Sequence, residues 1–513
     1  MWVEEFMTDA ETLPAPAAAP ARQPNVRARR RPPPQPPIAL LGIGFDHVTL
    51  AQTLRRIDEM VTSRQPHYLV TANVDFLVQS QRDVELQRIL NDAHLVLCDG
   101  TPLVWASRLL GNPLPERVAG ADLVPWLIRL AARKRYRLFL LGATPEANAE
   151  AVARVQGRFP HALLAGHYSP PFRPLLEMDH ETIAQRIRAA EPDILLVSFG
   201  CPKAEKWIAM HHRALGVPVT IGVGATIDFL AGRVKRAPLW MQRAGLEWIF
   251  RLGQEPRRLL RRYATDLWRF GRAMAAQTWH TLPRLGRICR PLRVPPGGPV
   301  VLTEPTWRRI SALERLDAEA VRRDSALWAA AGDRHCLVDL ADVRFIDSTG
   351  VGLLLCLRRT LRAAGRCLVL VAPSRPVQRV FQAMRVQDLF VTAADVLDAR
   401  QQIAERVEPP APVLVGGAPR PLCWRGELTA SNAQEVWHLT EPQLTSPGSP
   451  QRELTIDLSE VRFIDSTALG LMVRARHAAE QHGVILRFAG AQPNVRNVVR
   501  LSKLESLLVE GAA

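Results

Sequence analysis

Between residues 38 and about 250, short apolar runs alternate with amphipathic segments. Each run of five or six apolar residues ends in a polar or glycine turn, and a stretch with helical periodicity follows, as in YRLFLLGATPEANAEAVARV and DILLVSFGCPKAEKWIAMHH. Strands that are apolar at nearly every position are typical of parallel sheets with both faces covered by helices. The pattern therefore predicts a Rossmann-like α/β domain over 38–250.

Polar and glycine residues follow the apolar runs and define a candidate ligand site. In open parallel sheets, ligands bind beyond the carboxyl ends of the strands. We expect these positions to share one edge of the sheet: Thr71, Asn73, Asp99, Gly100, Gly142, Thr144, the stretch 200–203 and the stretch 222–226. Asp99, in LVLCDGTPLVW, would either face a ligand at this edge or only cap the helix that follows.

The segment VRFIDST occurs twice, starting at residues 343 and 461, which lie 118 residues apart. That period is too long for a solenoid repeat and matches a small domain present in two copies. An apolar strand pattern precedes each copy, and an apolar helix, another strand and a second helix follow it. Linkers rich in proline and glycine flank the copies, so we predict two small α/β domains at 298–405 and 412–510.

Composition narrows the choice of partners. The chain has 513 residues, 47% of them hydrophobic, and a formal net charge of +16. The excess of positive charge is mostly arginine, which predicts an anionic partner: nucleic acid, an anionic membrane surface or a phosphate-rich substrate.

The seven cysteines form no CxxC pair and are expected to be buried thiols of a reducing compartment. Neither a signal-peptide pattern nor a long uncharged apolar run occurs, so we expect neither export nor a membrane span.

Two further segments differ in composition from the predicted domains. Residues 1–37 are rich in proline and arginine without periodicity, which predicts a disordered tail. Residues 251–293 begin with a basic amphipathic helix pattern. Its arginines and the nearby aromatic residues are Arg257, Arg258, Arg261, Arg262, Trp240, Trp248, Trp268 and Phe270. This combination favours association with a membrane surface, and a solvated charged face or nucleic-acid contact are the alternatives.

A family resemblance rests on motifs that occur in order over residues 38 to about 270. They are VTANVDF, CDGTPLVW, ERVAGADL, FGCPKAEKW, GVGATIDFLAGRVKRAPLWMQRAGLEWIFRL and EPRRLLRRY. Together they resemble the WecG/TagA/CpsF glycosyltransferases. The resemblance implies an inverting, metal-independent transfer of a hexosyl or N-acetylhexosaminyl unit from a UDP-sugar to a polyprenyl-diphosphate-linked saccharide. It further implies a cytoplasmic enzyme, peripherally bound to the inner face of the cytoplasmic membrane, in exopolysaccharide or related surface-glycan synthesis.

The resemblance also implies roles for individual residues. Asp99 would be the general base that removes the proton of the acceptor hydroxyl group. The predicted substrate-binding residues are Thr71, Asn73, Arg117, Gly142, Gly200, Lys203, Glu205, Asp228 and Arg236, with Arg257, Arg258, Arg261 and Arg262 for the membrane or the acceptor diphosphate. At one position the family usually has glutamine where this chain has Ala204, which leaves the identity of the donor sugar open.

Departure of a nucleoside diphosphate builds negative charge on its oxygens, which a divalent cation or arginines can stabilise. The sequence has no Asp-x-Asp pair of the kind that commonly holds such a cation. We therefore expect no metal and no cofactor, with Arg236 and the cluster at 257–262 offsetting the charge. His211 and His212 are expected at the surface, without a role.

The duplicated unit resembles the STAS domain of anti-sigma-factor antagonists and sulfate transporters. In antagonists of that family a partner kinase phosphorylates a serine in the corresponding turn, and Ser348 and Ser466 hold that position. Both could instead be ordinary helix N-caps. We expect the pair to dock a regulator or assembly protein. The rival interpretations are a signalling scaffold whose first domain binds a nucleotide sugar without turnover, and a nucleic-acid-binding protein, which we favour least.

Overall fold

A computed structural model describes residues 36–234, 236–243, 246–254, 256–281, 299–407, 412–414, 422–445 and 453–508. Most of the predicted tail and the end of the predicted segment 251–293 lie outside the described residues, as does Cys289. The predicted fold class is confirmed: a parallel-sheet α/β domain is followed by two small α/β domains.

The first domain begins with an antiparallel hairpin and continues into a six-stranded parallel sheet. The strands are β1 (Ile38–Leu40), β2 (Ile43–Phe45), β3 (His67–Ala72), β4 (Leu95–Cys98), β5 (Arg137–Gly142), β6 (Leu163–Tyr168), β7 (Ile194–Ser198) and β8 (Val219–Gly222). The order across the sheet is β4-β3-β8-β7-β5-β6. Along β5, Leu138 and Leu140 pack into one core and Phe139 and Leu141 into another. Both faces are thus covered, as the apolar runs predict.

Nine helices of the described chain connect or follow these strands. They are α1 (Leu50–Ser63), α2 (Val74–Ser80), α3 (Val84–Asp92), α4 (Thr101–Leu109), α5 (Gly120–Lys134), α6 (Pro145–Arg158), α7 (His180–Ala190), α8 (Lys203–Leu215) and α9 (Thr226–Leu230). Thr144 caps α6 by accepting the N–H of Ala147, as its position predicts. The expectation of two surface histidines is wrong for His212, which is buried on α8 because its ring packs against Tyr68.

Three further helices of the described residues lead away from the sheet: α10 (Leu239–Arg243), α11 (Glu247–Gln254) and α12 (Pro256–Thr281). The second half of α12 buries Phe270, Met274, Gln277 and Thr281, which share one face at helical spacing. This face packs against α2 and against the following domain. The first half of α12, with the predicted basic cluster, is largely exposed.

The two C-terminal domains repeat one architecture. The first contains β9 (Val300–Thr303), β10 (Trp307–Ser311), β11 (Arg315–Leu316), α13 (Ala318–Arg323), α14 (Ser325–Ala330), β12 (His335–Asp339), β13 (Phe345–Ile346), α15 (Ser348–Ala363), β14 (Leu368–Val371), α16 (Arg375–Met384), β15 (Val391–Ala393) and α17 (Val396–Val407). Its main sheet has the order β15-β14-β12-β10-β9, with β9 antiparallel. The VRFIDST segment lies directly before and at the start of α15, at the domain surface that meets the first domain.

The second copy contains β16 (Val413–Leu414), β17 (Leu422–Leu428), α18 (Ala433–Thr445), β18 (Glu453–Ile464), α19 (Ser466–Gln481), β19 (Ile485–Ala489) and α20 (Pro493–Leu501). Its sheet has the order β16-β17-β18-β19, with β16 antiparallel. Here VRFIDST runs from the end of β18 into α19. Each copy thus carries its serine in the first turn of a 16-residue helix.

Candidate active site

The carboxyl ends of β4, β3 and β8 lie side by side because β3 pairs with both other strands. The backbone N–H of Asp99 donates to the carbonyl oxygen of Ala72 at 2.9 Å. The hydroxyl group of Thr71 donates to the carbonyl oxygen of Gly222 at 3.3 Å. These bonds join the three strand ends into one edge, which we call the rim (residues 71–73, 99–100 and 222–226).

Asp99 lies half-buried at the tip of β4. Gly100 holds the N-cap position of α4 and brings no side chain to the helix end, so the alternative role of Asp99 as the cap is not observed. A Cβ atom on Gly100 would lie 4.0 Å from the Cβ atom of Asn73, so the turns after β4 and β3 run close together. A carboxylate between two such turns can take a proton from a ligand bound over the rim.

Four charged side chains form a closed ring beside the rim. Arg117 donates to Glu247 and to Asp122, each at 2.7 Å. Arg236 lies 2.6 Å from Asp122 and 3.5 Å from Glu247. Each guanidinium group thus bridges both carboxylates, which its planar fork permits. Burial disfavours the charge of Arg117, but Asp122 and Glu247, with a contribution from Asp99, raise its pKa above the usual value.

This ring (Arg117, Asp122, Arg236 and Glu247) encloses Arg236, whose side chain is 3% exposed and whose charge is balanced by two carboxylates. Contact of Arg117 or Arg236 with a departing diphosphate stays a prediction that requires these ion pairs to open. Asp122 and Glu247 carry no sequence signal beyond being acidic residues in mostly apolar motifs. The ring ties α5 to α11 and so fixes the chain where it leads into α12.

Three predicted substrate-binding residues lie farther along the sheet, because β7 and β5 follow β8. Gly142 has a φ of +101°, and a Cβ atom there would fall 2.4 Å from the carbonyl oxygen of Ser198. The neighbouring strand therefore requires this glycine. Gly200 follows β7, and Lys203 donates to the carbonyl oxygen of Arg173. Their contacts with a substrate stay predictions.

Glu205 lies beneath the rim and is 3% exposed. Its Oε1 atom would lie 2.8 Å from a Cβ atom on Gly222. Burial, with the charge of Asp75, raises the pKa of Glu205 to about 7. The surrounding protein encloses this carboxyl group, so its position does not favour direct contact with a substrate. Asp228 on α9 is half-buried, and burial raises its pKa too.

The turn after β3 connects the rim with α12. Asn73 caps α2 with its side-chain oxygen, which accepts the N–H of Asp75 at 3.0 Å. Asp75 in turn forms an ion pair with Arg262 on α12. Arg257 and Arg261 are exposed, and the side chain of Arg258 lies outside the described residues. One arginine of the predicted cluster therefore stands beside the rim.

Large apolar side chains are exposed around this basic cluster. Their exposed fractions run from 40% to 73%, and they are Trp240, Trp248, Ile249, Leu260, Leu267 and Trp268. Exposed apolar side chains that form one patch are typical of an interaction site. Phe270 does not belong to it, because it is buried between α12 and its neighbours. No helix in the described part of the chain is both long and apolar enough to cross a bilayer.

Ser348 and Ser466 are both buried, with 1% and 3% exposure. The preceding residues, Asp347 and Asp465, are the N-caps of α15 and α19, since their carboxylates accept backbone N–H groups there. The alternative in which the serines are N-caps is therefore wrong. Neither hydroxyl group is accessible to a kinase in this arrangement, so phosphorylation stays a prediction that requires the surrounding contacts to open.

Three family profiles match separate parts of the chain. They are the glycosyl transferase WecG/TagA/CpsF family over residues 38–284, the STAS domain over 311–399 and the Mlab, STAS domain over 422–510. A solved structure from Thermotoga maritima, described as a candidate anti-sigma factor antagonist, matches 20% of this chain and 93% of its own at 16% identity. Its TM-score is 0.19, too low to support an argument.

Curated relatives cover the first domain. Two of them, from Staphylococcus aureus strains MRSA252 and NCTC 8325 / PS 47, are named N-acetylglucosaminyldiphosphoundecaprenol N-acetyl-beta-D-mannosaminyltransferase. Each is 31% identical over 216 residues, which is 42% of this chain and 83% of the relative. The prediction of a sugar-transferring enzyme is thus confirmed. The chain belongs to the WecG/TagA/CpsF family of glycosyltransferases, and two STAS domains follow its glycosyltransferase domain.

Proposed function

We propose that the chain is an inverting, metal-independent N-acetylhexosaminyltransferase. It moves the sugar from a UDP-sugar to a polyprenyl-diphosphate-linked saccharide in exopolysaccharide or related surface-glycan synthesis. The names of the curated relatives support the class of sugar and of acceptor. The observation that carries the proposal is the half-buried carboxylate of Asp99 at the rim, where parallel sheets bind ligands.

In the proposed reaction Asp99 is the general base. Its carboxylate takes the proton of the acceptor hydroxyl group while that oxygen attacks the anomeric carbon of the donor sugar. The bond from this carbon to the UDP oxygen breaks in the same displacement, so the configuration inverts. General-base assistance of this kind contributes roughly 10² to 10⁴ in rate. Thr71 and Asn73 are the nearest predicted substrate contacts, because they lie on the adjoining strand end.

Arginines of α12 are the proposed stabilisers of the departing diphosphate. Arg262 supports this because its ion pair with Asp75 holds it beside the turn after β3. Arg257 and Arg261 on the same helix are exposed and can meet phosphate oxygens of the donor or of the acceptor lipid. Fixed cations of this kind stabilise charge that develops in the transition state.

The proposed membrane contact is the surface around α11 and the first half of α12. Exposed tryptophans and leucines accompany exposed arginines there, which is the composition of an interfacial helix. Each arginine near an anionic leaflet contributes about 1 kcal/mol. Contact at this surface would bring the lipid-linked acceptor to the rim, because Arg262 connects the helix to it.

Replacing Asp99 by Asn tests the proposal. Purified full-length protein is incubated with a panel of UDP-sugars and a short-chain polyprenyl-diphosphate-linked N-acetylglucosamine, and transfer is followed by chromatography. We expect kcat to fall by about 10² to 10⁴, with donor affinity by calorimetry nearly unchanged. Asp58→Asn, a substitution at a partly exposed surface ion pair, is the control and should leave kcat unchanged. Unchanged turnover in Asp99→Asn would reject the base assignment.

The same experiment separates the enzyme from the signalling scaffold. Wild-type protein that binds a UDP-sugar tightly but transfers it to no acceptor would favour a sensor. Repeating the panel with and without a chelator tests metal independence, because a loss of transfer in the chelator would contradict it.

A further inference from the structure

Ser348 contacts a side chain of the glycosyltransferase domain. Its hydroxyl oxygen accepts a hydrogen bond from Nε2 of Gln277, at 2.9 Å. Gln277 lies on α12 and is fully buried. The same amide group donates to the carbonyl oxygen of Ala39 at 2.8 Å and accepts the N–H of Leu41 at 2.8 Å. One glutamine thus ties the first STAS domain, α12 and the N-terminal hairpin together.

Ser466 makes the equivalent contact in the second STAS domain. Its hydroxyl group donates to Glu85 at 2.9 Å, and its backbone N–H donates to the same carboxylate. Glu85 is 2% exposed, and Lys206 balances its charge at 2.8 Å while also lying 2.7 Å from Asp83. An anion at the start of α19 is also favoured by the helix dipole. The turn at the start of α19 therefore binds the buried carboxylate of Glu85.

The hairpin β1–β2 is a layer shared by two domains. Ile38 and Leu40 pack into the core of the glycosyltransferase domain, whereas Ala39 packs into the core of the first STAS domain. The period-2 alternation of a strand produces this division. Gly352 on α15 meets the hairpin so closely that a Cβ atom would lie 2.6 Å from the carbonyl oxygen of Pro37. Small residues thus allow the two domains to approach.

Charges complete the contact of the first STAS domain. Arg359 donates to both carboxylate oxygens of Asp46, at 2.7 and 3.0 Å. Arg358 and Arg362 lie 2.6 and 3.0 Å from Asp92. Three arginines of α15 therefore meet two carboxylates of the glycosyltransferase domain, which gives the interface a defined register.

The second STAS domain has an independent contact beside its serine. Arg88 on α3 lies 3.2 Å from Glu427 and stacks 3.7 Å from the ring centre of Phe463. A guanidinium group that is both ion-paired and stacked is held in one orientation. Helix α3 thus offers Glu85 and Arg88 to the same domain.

We infer that the partner of both STAS domains is the glycosyltransferase domain of their own chain. Each serine turn is a docking site that binds one side chain of that domain, the amide of Gln277 or the carboxylate of Glu85. Docking of the first STAS domain fixes the second half of α12, and hence the orientation of the exposed arginines and tryptophans relative to the rim. An outside protein reaches either serine turn only after displacing these contacts.

The test adds a negative charge to one serine turn of the full-length protein. Ser466→Asp sets a carboxylate against Glu85, and like charges repel strongly when buried. Hydrogen exchange measured by mass spectrometry should become at least tenfold faster in peptides from α3 and from the start of α19. Peptides from β17 and β18 should keep their protection. Ser459→Asp, at an exposed serine of the same domain, is the control and should change neither region.

A second substitution makes the result specific to the contact. Glu85→Gln in the Ser466→Asp background removes the repulsion and should restore most of the protection. Exchange in Ser466→Asp that equals the Ser459→Asp control would overturn the inference. If Ser466→Asp unfolds the STAS sheet itself, Glu85→Ala replaces it as the test, because that substitution changes only the glycosyltransferase domain. We then expect tenfold faster exchange at the start of α19. Unchanged exchange there would reject the docking site.

Discussion

The buried ion pair between Asp46 and Arg359 gives the sharpest prediction about domain docking. The two side chains are 9% and 15% exposed, and two hydrogen bonds of 2.7 and 3.0 Å join them. Asp46→Asn keeps the shape but leaves a buried guanidinium group without its counter-charge. Losing one partner of a buried pair costs about 3 to 5 kcal/mol. Because Arg359 keeps its bond to the carbonyl oxygen of Ala93, we expect the lower end of that range.

Urea unfolding followed by tryptophan fluorescence measures this loss. We expect Asp46→Asn to lower the free energy of unfolding by about 3 kcal/mol, and Arg359→Met to restore part of it in the double variant, since the unpaired charge is then gone. The control is Asp58→Asn, because its ion pair with Lys134 is partly exposed and the asparagine oxygen can still accept the hydrogen bond of Tyr136, so the loss should stay below about 1 kcal/mol. A loss below about 1 kcal/mol in Asp46→Asn would refute the reasoning, because exposed pairs lose no more than that.

Two more predictions concern the carboxyl group below the rim and the membrane surface. The pKa of Glu205 is about 7 in the folded state and 4.5 in the unfolded chain. The free energy of unfolding therefore falls as pH rises from 4.5 to about 7. Urea unfolding at both pH values measures this. Between pH 5 and pH 8 the free energy of unfolding of Glu205→Gln should rise by about 2.5 kcal/mol relative to that of the wild type. Glu181→Gln is an exposed control, and an equal change in that variant would contradict the raised pKa of Glu205. The double variant Trp268→Ser, Arg261→Ser should bind anionic vesicles about tenfold more weakly in a sedimentation assay. Leu397→Ser, at an exposed leucine of the first STAS domain, is the control and should bind like the wild type. Equal binding of both variants would argue against membrane contact through the first half of α12.

The rim was predictable from sequence for a specific reason. Asp99, Asn73 and Thr71 each follow an apolar run, and parallel strands deliver their carboxyl ends to one edge whatever the order of the strands. Strand order was not predictable, and it separates Gly142 and Lys203 from Asp99 by placing β7 and β5 beyond β8. Periodicity therefore predicted which residues end the strands, whereas the distances between those residues depend on the order of the strands.

The ring of Arg117, Asp122, Arg236 and Glu247 shows the same limit at the level of side chains. Its members come from three separate segments of the chain, and each alone looks like an ordinary charged residue. Only the tertiary structure, which brings the segments around 117–122, 236 and 247 together, places their charges within hydrogen-bond distance. The ion pairs of Arg236 were not predictable for this reason, since its counter-ions are not apparent in the local sequence.

The sequence by itself determined the three domains, the polar residues that lie at the rim and the position of each serine in a helix-initiating turn, because periodicity and local motifs carry that information. The tertiary structure alone decided what those turns face. Gln277 and Glu85 lie 71 and 381 residues from the serines they contact. Whether a turn points to solvent or into a neighbouring domain depends on the shape and charge of two complete surfaces, and such surfaces exist only after each domain has folded.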